Sequence, residues 1–146
     1  NGGYVKAYKS SNLIEWEPVD NGVLNRGICY DYSKDENAPK EKTPYAPEVI
    51  YYNGKFYMTA SPLGKGHYIF ESDSPEGPFT FGGKILEPVI GWTTHHSIVE
   101  INGKWYLFYH DSSWSRGVSG MRCVKYCELH YNEDGSIQTI NPYANE

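Results

Sequence analysis

The sequence predicts an all-β chain, a partial β-propeller of two to three four-stranded blades completed by oligomerisation. Three observations predict it. The first is a repeat. Residues 46–61 return as residues 95–110, with Asn53-Gly54-Lys55 falling on Asn102-Gly103-Lys104 and Tyr57 on Tyr106. A period of this length, built on a hairpin between aromatic strands, is that of a propeller blade. The second is composition: aromatic residues make up 16% of the chain, among β-branched residues and broken by fifteen Gly and nine Pro. Short strands and tight turns use residues in this way. The third is that no segment sustains the 3.6-residue period of an amphipathic helix.

The elements follow in chain order. Tyr4–Ser10 alternates and runs into Ser11-Asn12-Leu13-Ile14-Glu15-Trp16-Glu17-Pro18, as Gly66–Ser72 runs into Asp73-Ser74-Pro75-Glu76-Gly77-Pro78-Phe79. In both, a strand ends in a Ser-rich turn that delivers an aromatic residue. Residues 20–44, rich in Asp, Asn, Lys, Glu and Pro and without a sustained period, are expected as a long loop, functional or mobile. Glu48–Tyr52 alternates, Asn53-Gly54 supplies a turn of the primed type and Lys55–Ala60 returns. Gly66–Glu71 would be the third strand. Lys84–Val89 is expected to edge the next blade, whose hairpin is His96–Ile101, the Asn102-Gly103 turn and Lys104–His110. Met121–Tyr131 and Ser136–Ile140 would complete it. At roughly 50 residues per blade, the 146 residues hold at most three blades, short of the four a ring needs. Open strand edges invite pairing, so the chain is expected either to associate with a second copy or to be a piece of something longer.

The net charge of −5, with no Lys/Arg cluster, argues against nucleic acid and against an anionic membrane surface as partners. No apolar run approaches the length that crosses a bilayer. The chain begins at Asn1 rather than Met, so any signal peptide or upstream domain is expected to lie outside it and cannot be read, and secreted, periplasmic and cytoplasmic locations all stay open. Cys29, Cys123 and Cys127 are an odd, scattered set, expected as small buried hydrophobes rather than a disulfide framework.

Several stretches together resemble glycoside hydrolase family 43, five-bladed propellers that cleave arabinose and xylose linkages in plant polysaccharides. Tyr45-Ala46-Pro47-Glu48 followed by Tyr51-Tyr52-Asn53-Gly54-Lys55-Phe56-Tyr57 resembles that family's second-blade hairpin. Ser72-Asp73-Ser74-Pro75-Glu76-Gly77-Pro78-Phe79 resembles the turn that ends several of its blades. Thr94-His95-His96-Ser97, followed by Gly103-Lys104-Trp105-Tyr106-Leu107-Phe108-Tyr109-His110, resembles its fifth blade. Arg122 and then Tyr131-Asn132-Glu133-Asp134-Gly135-Ser136-Ile137 resemble its closing segment. The resemblance divides the chain into the end of a first blade (1–19), the long loop (20–44), a blade-two-like unit (45–83) and a blade-five-like unit (84–146). It implies an Asp base in blade one, a tuning Asp in blade three and a Glu acid in blade four. The motifs that carry these are missing here, and Glu76-Gly77-Pro78 follows a strand and reads as structural.

The resemblance also orders the candidate site residues. Cleaving a glycosidic bond takes an acid to protonate the leaving oxygen and a carboxylate to activate water, roughly 6.5–9.5 Å apart for inversion. Glu48 is the candidate catalytic acid. It opens an inner strand beside Tyr45, where partial burial against an aromatic would raise its pKa. The alternative is a Glu that contacts substrate or braces a loop. Asp31, Asp35, Glu36 and Asp111 are the carboxylates that an assembled ring could bring to it. Tyr45 and Trp92 precede inner strands, where their rings can stack on a sugar or pack between blades. His95 corresponds to a family histidine near the axis, which in some members helps hold a calcium ion through water. The alternative is a hydrogen bond to sugar or backbone. Arg122 is expected to bind a sugar hydroxyl, a carboxylate or a strand-face partner. His96 points to the opposite face as a packed core or blade-interface histidine, and Trp16, Trp105, Tyr57 and Tyr106 are expected in the core. No cofactor is required by this reading. The partner is an arabino- or xylo-oligosaccharide, hydrolysed if assembly completes the site. The alternatives are a non-catalytic carbohydrate-binding remnant and a structural fragment of a larger glycosidase.

Overall fold

The computed structural model describes residues 3–41, 43–62, 64–92 and 95–144. Thr94, first residue of the Thr94-His95-His96-Ser97 motif, lies outside them. The described residues form strands and turns with no helix. Strands β5 (Pro44–Tyr52), β6 (Lys55–Pro62), β7 (His67–Ser72) and β8 (Thr80–Leu86) make an antiparallel four-stranded sheet in chain order. Strands β9 (His96–Ile101), β10 (Lys104–Asp111) and β11 (Cys123–Glu128) make a three-stranded sheet. Two small pairs precede them: β1 (Tyr4–Lys6) with β4 (Ile28–Asp31), and β2 (Tyr8–Lys9) with β3 (Glu17–Pro18). The arrangement is a partial propeller whose sheets do not close into a ring.

The two hairpins form where the repeat requires. Asn53 and Gly54 take φ of 48° and 85°, and Asn102 and Gly103 take 52° and 78°. These left-handed pairs match the twist of the flanking strands, and Asn and Gly reach them at the least steric cost. Registers Tyr52↔Lys55 and Ile101↔Lys104 follow from the two turns.

Two cores result. One joins β1 and β4 to a face of the four-stranded sheet through Val5, Tyr30, Tyr32, Met58, Ala60 and Phe70. Tyr30 and Phe70 are fully buried with rings 4.6 Å apart, a pair worth about 0.5–1.5 kcal/mol beyond its buried area. The other joins that sheet's opposite side to the three-stranded one through Ile85, Leu86, Ile98, Leu107, Tyr109 and Leu129.

The structure revises four expectations. Residues 20–44 are not a free loop: β4 lies within them, Cys29, Tyr30 and Tyr32 are buried, and Asp35 binds the Phe81 N–H on β8. Their polar composition hid a strand whose partners come from far along the chain. The apolar stretch from Lys84 largely belongs to β8 of the first sheet, and meets the closing segment through the Leu86↔Ile140 bridge. The second sheet has three named strands rather than four. Trp16, expected in the core, is 56% exposed on a turn held by Ser10 Oγ and Asn12 Oδ1, which accept the N–H groups of residues 12–15. Glu76 is structural as read. It accepts from Lys9 Nζ at 2.8 Å and from the Asp20 N–H at 3.0 Å.

Candidate functional site

The two sheets meet along a polar seam. On β5 a bulge separates Tyr45 from Glu48. Ala46 sits there at φ 49°, and Pro47 has no N–H to give the ladder. A bulge re-aims the side chain that follows it, and Glu48 reaches across to β9. Its Oε1 accepts from Ser97 Oγ at 2.8 Å and its Oε2 from the Ile98 N–H at 3.1 Å. Opposite Glu48 in the hairpin register stands Thr59, whose Oγ1 lies 2.6 Å from His96 Nε2. The His96 ring meets buried His67 edge-on at 4.6 Å. His96 is thus the interface histidine the alternation predicted. Thr59 and His67 were missed, although the Asn53-Gly54 turn alone places Thr59 opposite Glu48.

A second cluster lies at the end of β10. The His95 and His110 rings are 6.0 Å apart and tilted by 34°, and Arg122 fixes its own direction by donating from Nε to the Ser119 carbonyl at 2.7 Å. Burial, then the Arg122 charge, then His95, hold His110 below the usual histidine range. The structure therefore gathers His95 and Arg122 around a histidine that stays largely neutral near pH 7.

Trp92, 68% exposed, stands on a loop fastened to the same strand end. The Ser112 N–H donates to the Ile90 carbonyl at 2.8 Å. Gly91 (φ 89°) approaches Ser112 so closely that a Cβ there would lie 2.6 Å from its Oγ. Tyr45, 43% exposed, is on β5, paired in register with Ser61.

Of the other candidate carboxylates, Asp111, Asp31 and Asp35 serve the fold, and Glu36 is exposed. Asp111 is fully buried. Its Oδ1 accepts from the Ser113 N–H, Ser113 Oγ and Cys123 Sγ, and its Oδ2 from Tyr143 at 2.8 Å. Burial alone would raise its pKa, but these donors together outweigh it and hold the carboxyl below its ordinary value. Tyr143 gave no periodic signal in the sequence. Asp31 accepts from Ser33, and Asp35 from Tyr30, Asn37 and Phe81. Cys29 and Cys127 thiols are pushed up to about 11 by burial, which keeps them protonated and inert. Calcium takes six to eight oxygens. His95 has instead a histidine and an arginine beside it, and among the described residues no group of three or more His, Cys, Asp or Glu is placed to hold a metal ion. These residues do not fit calcium.

The sequence profile of glycosyl hydrolases family 43 matches residues 1–134. The chain belongs to this family. It is 56% identical over 93 residues to xylosidase/arabinosidase 43A of Humicola insolens, covering 62% of this chain and 28% of that one. A xylosidase/arabinosidase of Bacteroides ovatus is 54% identical over 91 residues, covering 61% and 28%. Among solved structures, a family 43 β-xylosidase/α-arabinofuranosidase from a compost microbial metagenome, calcium-free and in complex with xylotriose, superposes with a TM-score of 0.65 at 53% identity. The match covers 68% of this chain and 31% of that one. A family 43 enzyme of Xanthomonas citri complexed with xylotriose gives 0.64 at 44% identity, covering 68% and 31%. The chain thus spans less than a third of the length of these relatives. Their propeller fold agrees with the partial propeller described above.

Proposed function

We propose that this chain is a glycoside hydrolase-like module that binds xylose- and arabinose-containing oligosaccharides at the strand end where Trp92, His95, His110 and Arg122 gather. Hydrolysis of an O-glycosidic bond there requires assembly to complete the site. One observation carries the proposal: an exposed indole stands beside a donor-rich cluster, while Glu48 and Asp111 are both committed to holding the fold. The Trp92 face offers a platform for the C–H face of a sugar ring. Arg122 and His95 donate to its hydroxyls, and His110, held largely neutral, lies beside His95. The names of the relatives, xylosidase and arabinosidase, and the xylotriose held by two similar structures support the sugar class. Tyr45 is the platform we assign to the first sheet.

A second reading, hydrolysis by an assembled ring with Glu48 as acid, is favoured by the outer face of the three-stranded sheet. Val99, Ile101, Val124 and Tyr126 are exposed there, with Phe108 stacked on Tyr126 at 5.8 Å. A contiguous apolar face of this kind marks a docking surface, and a second copy is the partner we assign to it. Glu48 can act as acid only by releasing Ser97 and Ile98.

Titration with xylotriose and with an arabino-oligosaccharide tests the binding site. Saturable tryptophan quenching is expected, with Trp92→Ala weakening it about tenfold, or about 1.4 kcal/mol. Cleavage of aryl xylosides and arabinofuranosides is expected only in fractions that light scattering reports as assembled. Glu48→Gln replaces the charged double acceptor of Ser97 Oγ and the Ile98 N–H by a neutral amide with one acceptor oxygen, and is expected to lower stability by about 1–3 kcal/mol. Absence of saturable binding overturns the proposal, and turnover by a strictly monomeric chain overturns the need for assembly.

A further inference from the structure

A cleft of about 530 Å³ opens between the two sheets at the hairpin end of β5, away from Trp92. Tyr45 and Tyr52 are seven residues apart on one extended strand, so this end lies roughly 20 Å from the Tyr45 platform. The floor is apolar, from Ile50, Ile69, Ile98 and Leu129. The walls are Tyr52, Tyr57, Trp105 and Tyr131, with Trp105 meeting Tyr52 edge-on at 5.2 Å. Among the described residues, no hydrogen bond engages the hydroxyls of the three tyrosines or the indole N–H of Trp105. Burial, then the nearness of Tyr52 and Tyr57, hold Tyr131 above the usual phenol range, and the three tyrosines line the same cleft.

Lys55 faces Glu71 at 3.7 Å, and Asp134 accepts from Ser136 Oγ at 2.6 Å and from its N–H at 2.9 Å. Among the described residues an anion finds no unmatched cation at this rim, and the charge without a counter-ion, Asp134, is exposed rather than set on the apolar floor. A pure hydrocarbon would cover the floor but leave the hydroxyls without partners, an unfavourable exchange for groups that water now satisfies. A ligand with apolar faces and a girdle of neutral hydroxyls satisfies both, and the volume lies within the range of small-molecule sites.

We propose that this inter-sheet cleft is a second, non-catalytic binding site for a neutral sugar of one or two rings. The ring lies against Trp105, with its hydroxyls exchanging hydrogen bonds with Tyr52, Tyr57 and Tyr131. The site is independent of the Trp92 platform and would hold a sugar chain at a distance from it.

The test uses the whole chain carrying Trp92→Ala, titrated with xylobiose and, separately, with cellobiose, while the fluorescence of the remaining tryptophans, Trp105 among them, is followed. Saturable quenching that survives Trp92→Ala and weakens about tenfold on adding Tyr131→Ala is expected. Should Tyr131→Ala disturb the far-ultraviolet circular dichroism, Tyr57→Phe combined with Tyr131→Phe removes the hydroxyls and keeps the shape, with the same loss expected. Loss of all saturable response in Trp92→Ala alone overturns the second site and leaves the first standing. A response indifferent to both tyrosine changes, or one that tracks protein concentration and self-association rather than sugar, overturns it equally.

Discussion

The two hairpins carry nearly the same pattern and live in different surroundings. Met58 and Leu107 hold equivalent positions 49 residues apart, and both are buried, each facing the unit that precedes its own sheet. One position on, they diverge. Thr59 is buried and bound to His96, whereas Phe108 is half-buried against Tyr126 on an open face. Glu48 and Ser97 are likewise equivalent positions, and they bond to each other. The first hairpin is sandwiched and the second is covered on one side. A strand pattern specifies pleat and turn, while the neighbour decides what each face becomes.

The largest expected effects sharpen this contrast. Met58→Ala and Leu107→Ala should each cost about 2–5 kcal/mol by urea unfolding, since both remove fully enclosed side chains. Val124→Lys, at a residue 76% exposed, should change the stability of the single chain by less than about 0.5 kcal/mol yet abolish association in light scattering. If Val124→Lys destabilises a monomeric chain as much as Leu107→Ala does, the open-face description is wrong.

What was legible follows the same division. The Asn-Gly turns, the alternation around them and the outward pairing of His96 are local matters, and were read from residues 46–61 and 95–110. Trp92 and Tyr45 were singled out by their places before inner strands, and Glu48, His95 and Arg122 by the resemblance; a shared sugar site among them is the proposal made above. Strand β4 was hidden because Tyr30 is buried by Phe70, forty residues away. The role of Glu48 was hidden because it depends on which strand of the other sheet lies beside it. Trp16 was misplaced because its turn copies one that does bury an aromatic, Phe79. In that turn the Phe79 N–H is held by the Cys29 carbonyl at 2.8 Å, and no equivalent tie binds Trp16 among the described residues.

A middling effect probes what the hairpins share. Gly54 and Gly103 both adopt left-handed φ, and a Cβ added at either meets nothing within 4 Å. Gly54→Ala and Gly103→Ala should therefore cost the backbone strain alone, about 1–2 kcal/mol each, and should cost the same. Unequal losses in matched urea titrations would mean that one turn is held by contacts beyond its own geometry.

The smallest effect separates the hairpins by pH. Ser61 stands in the first where His110 stands in the second. Ser61 is buried, neutral and bound to the Gly66 carbonyl at 2.8 Å, so only the second hairpin titrates at this position. The folded state holds His110 below its ordinary value of 6.5, and the unfolded chain therefore takes up its proton first. The contribution of His110 is complete above about pH 6.5 and declines as pH falls toward its depressed folded value. Asp111 adds a separate loss at lower pH, beginning near 3.8, because its carboxyl too is held below its ordinary value. Urea midpoints taken at pH 7.5, 6, 5, 4, 3 and 2 should fall in both steps. His110→Gln should flatten the part of the first step due to this residue and leave the acid step intact, and an unchanged first step would show that His110 is no harder to protonate folded than unfolded.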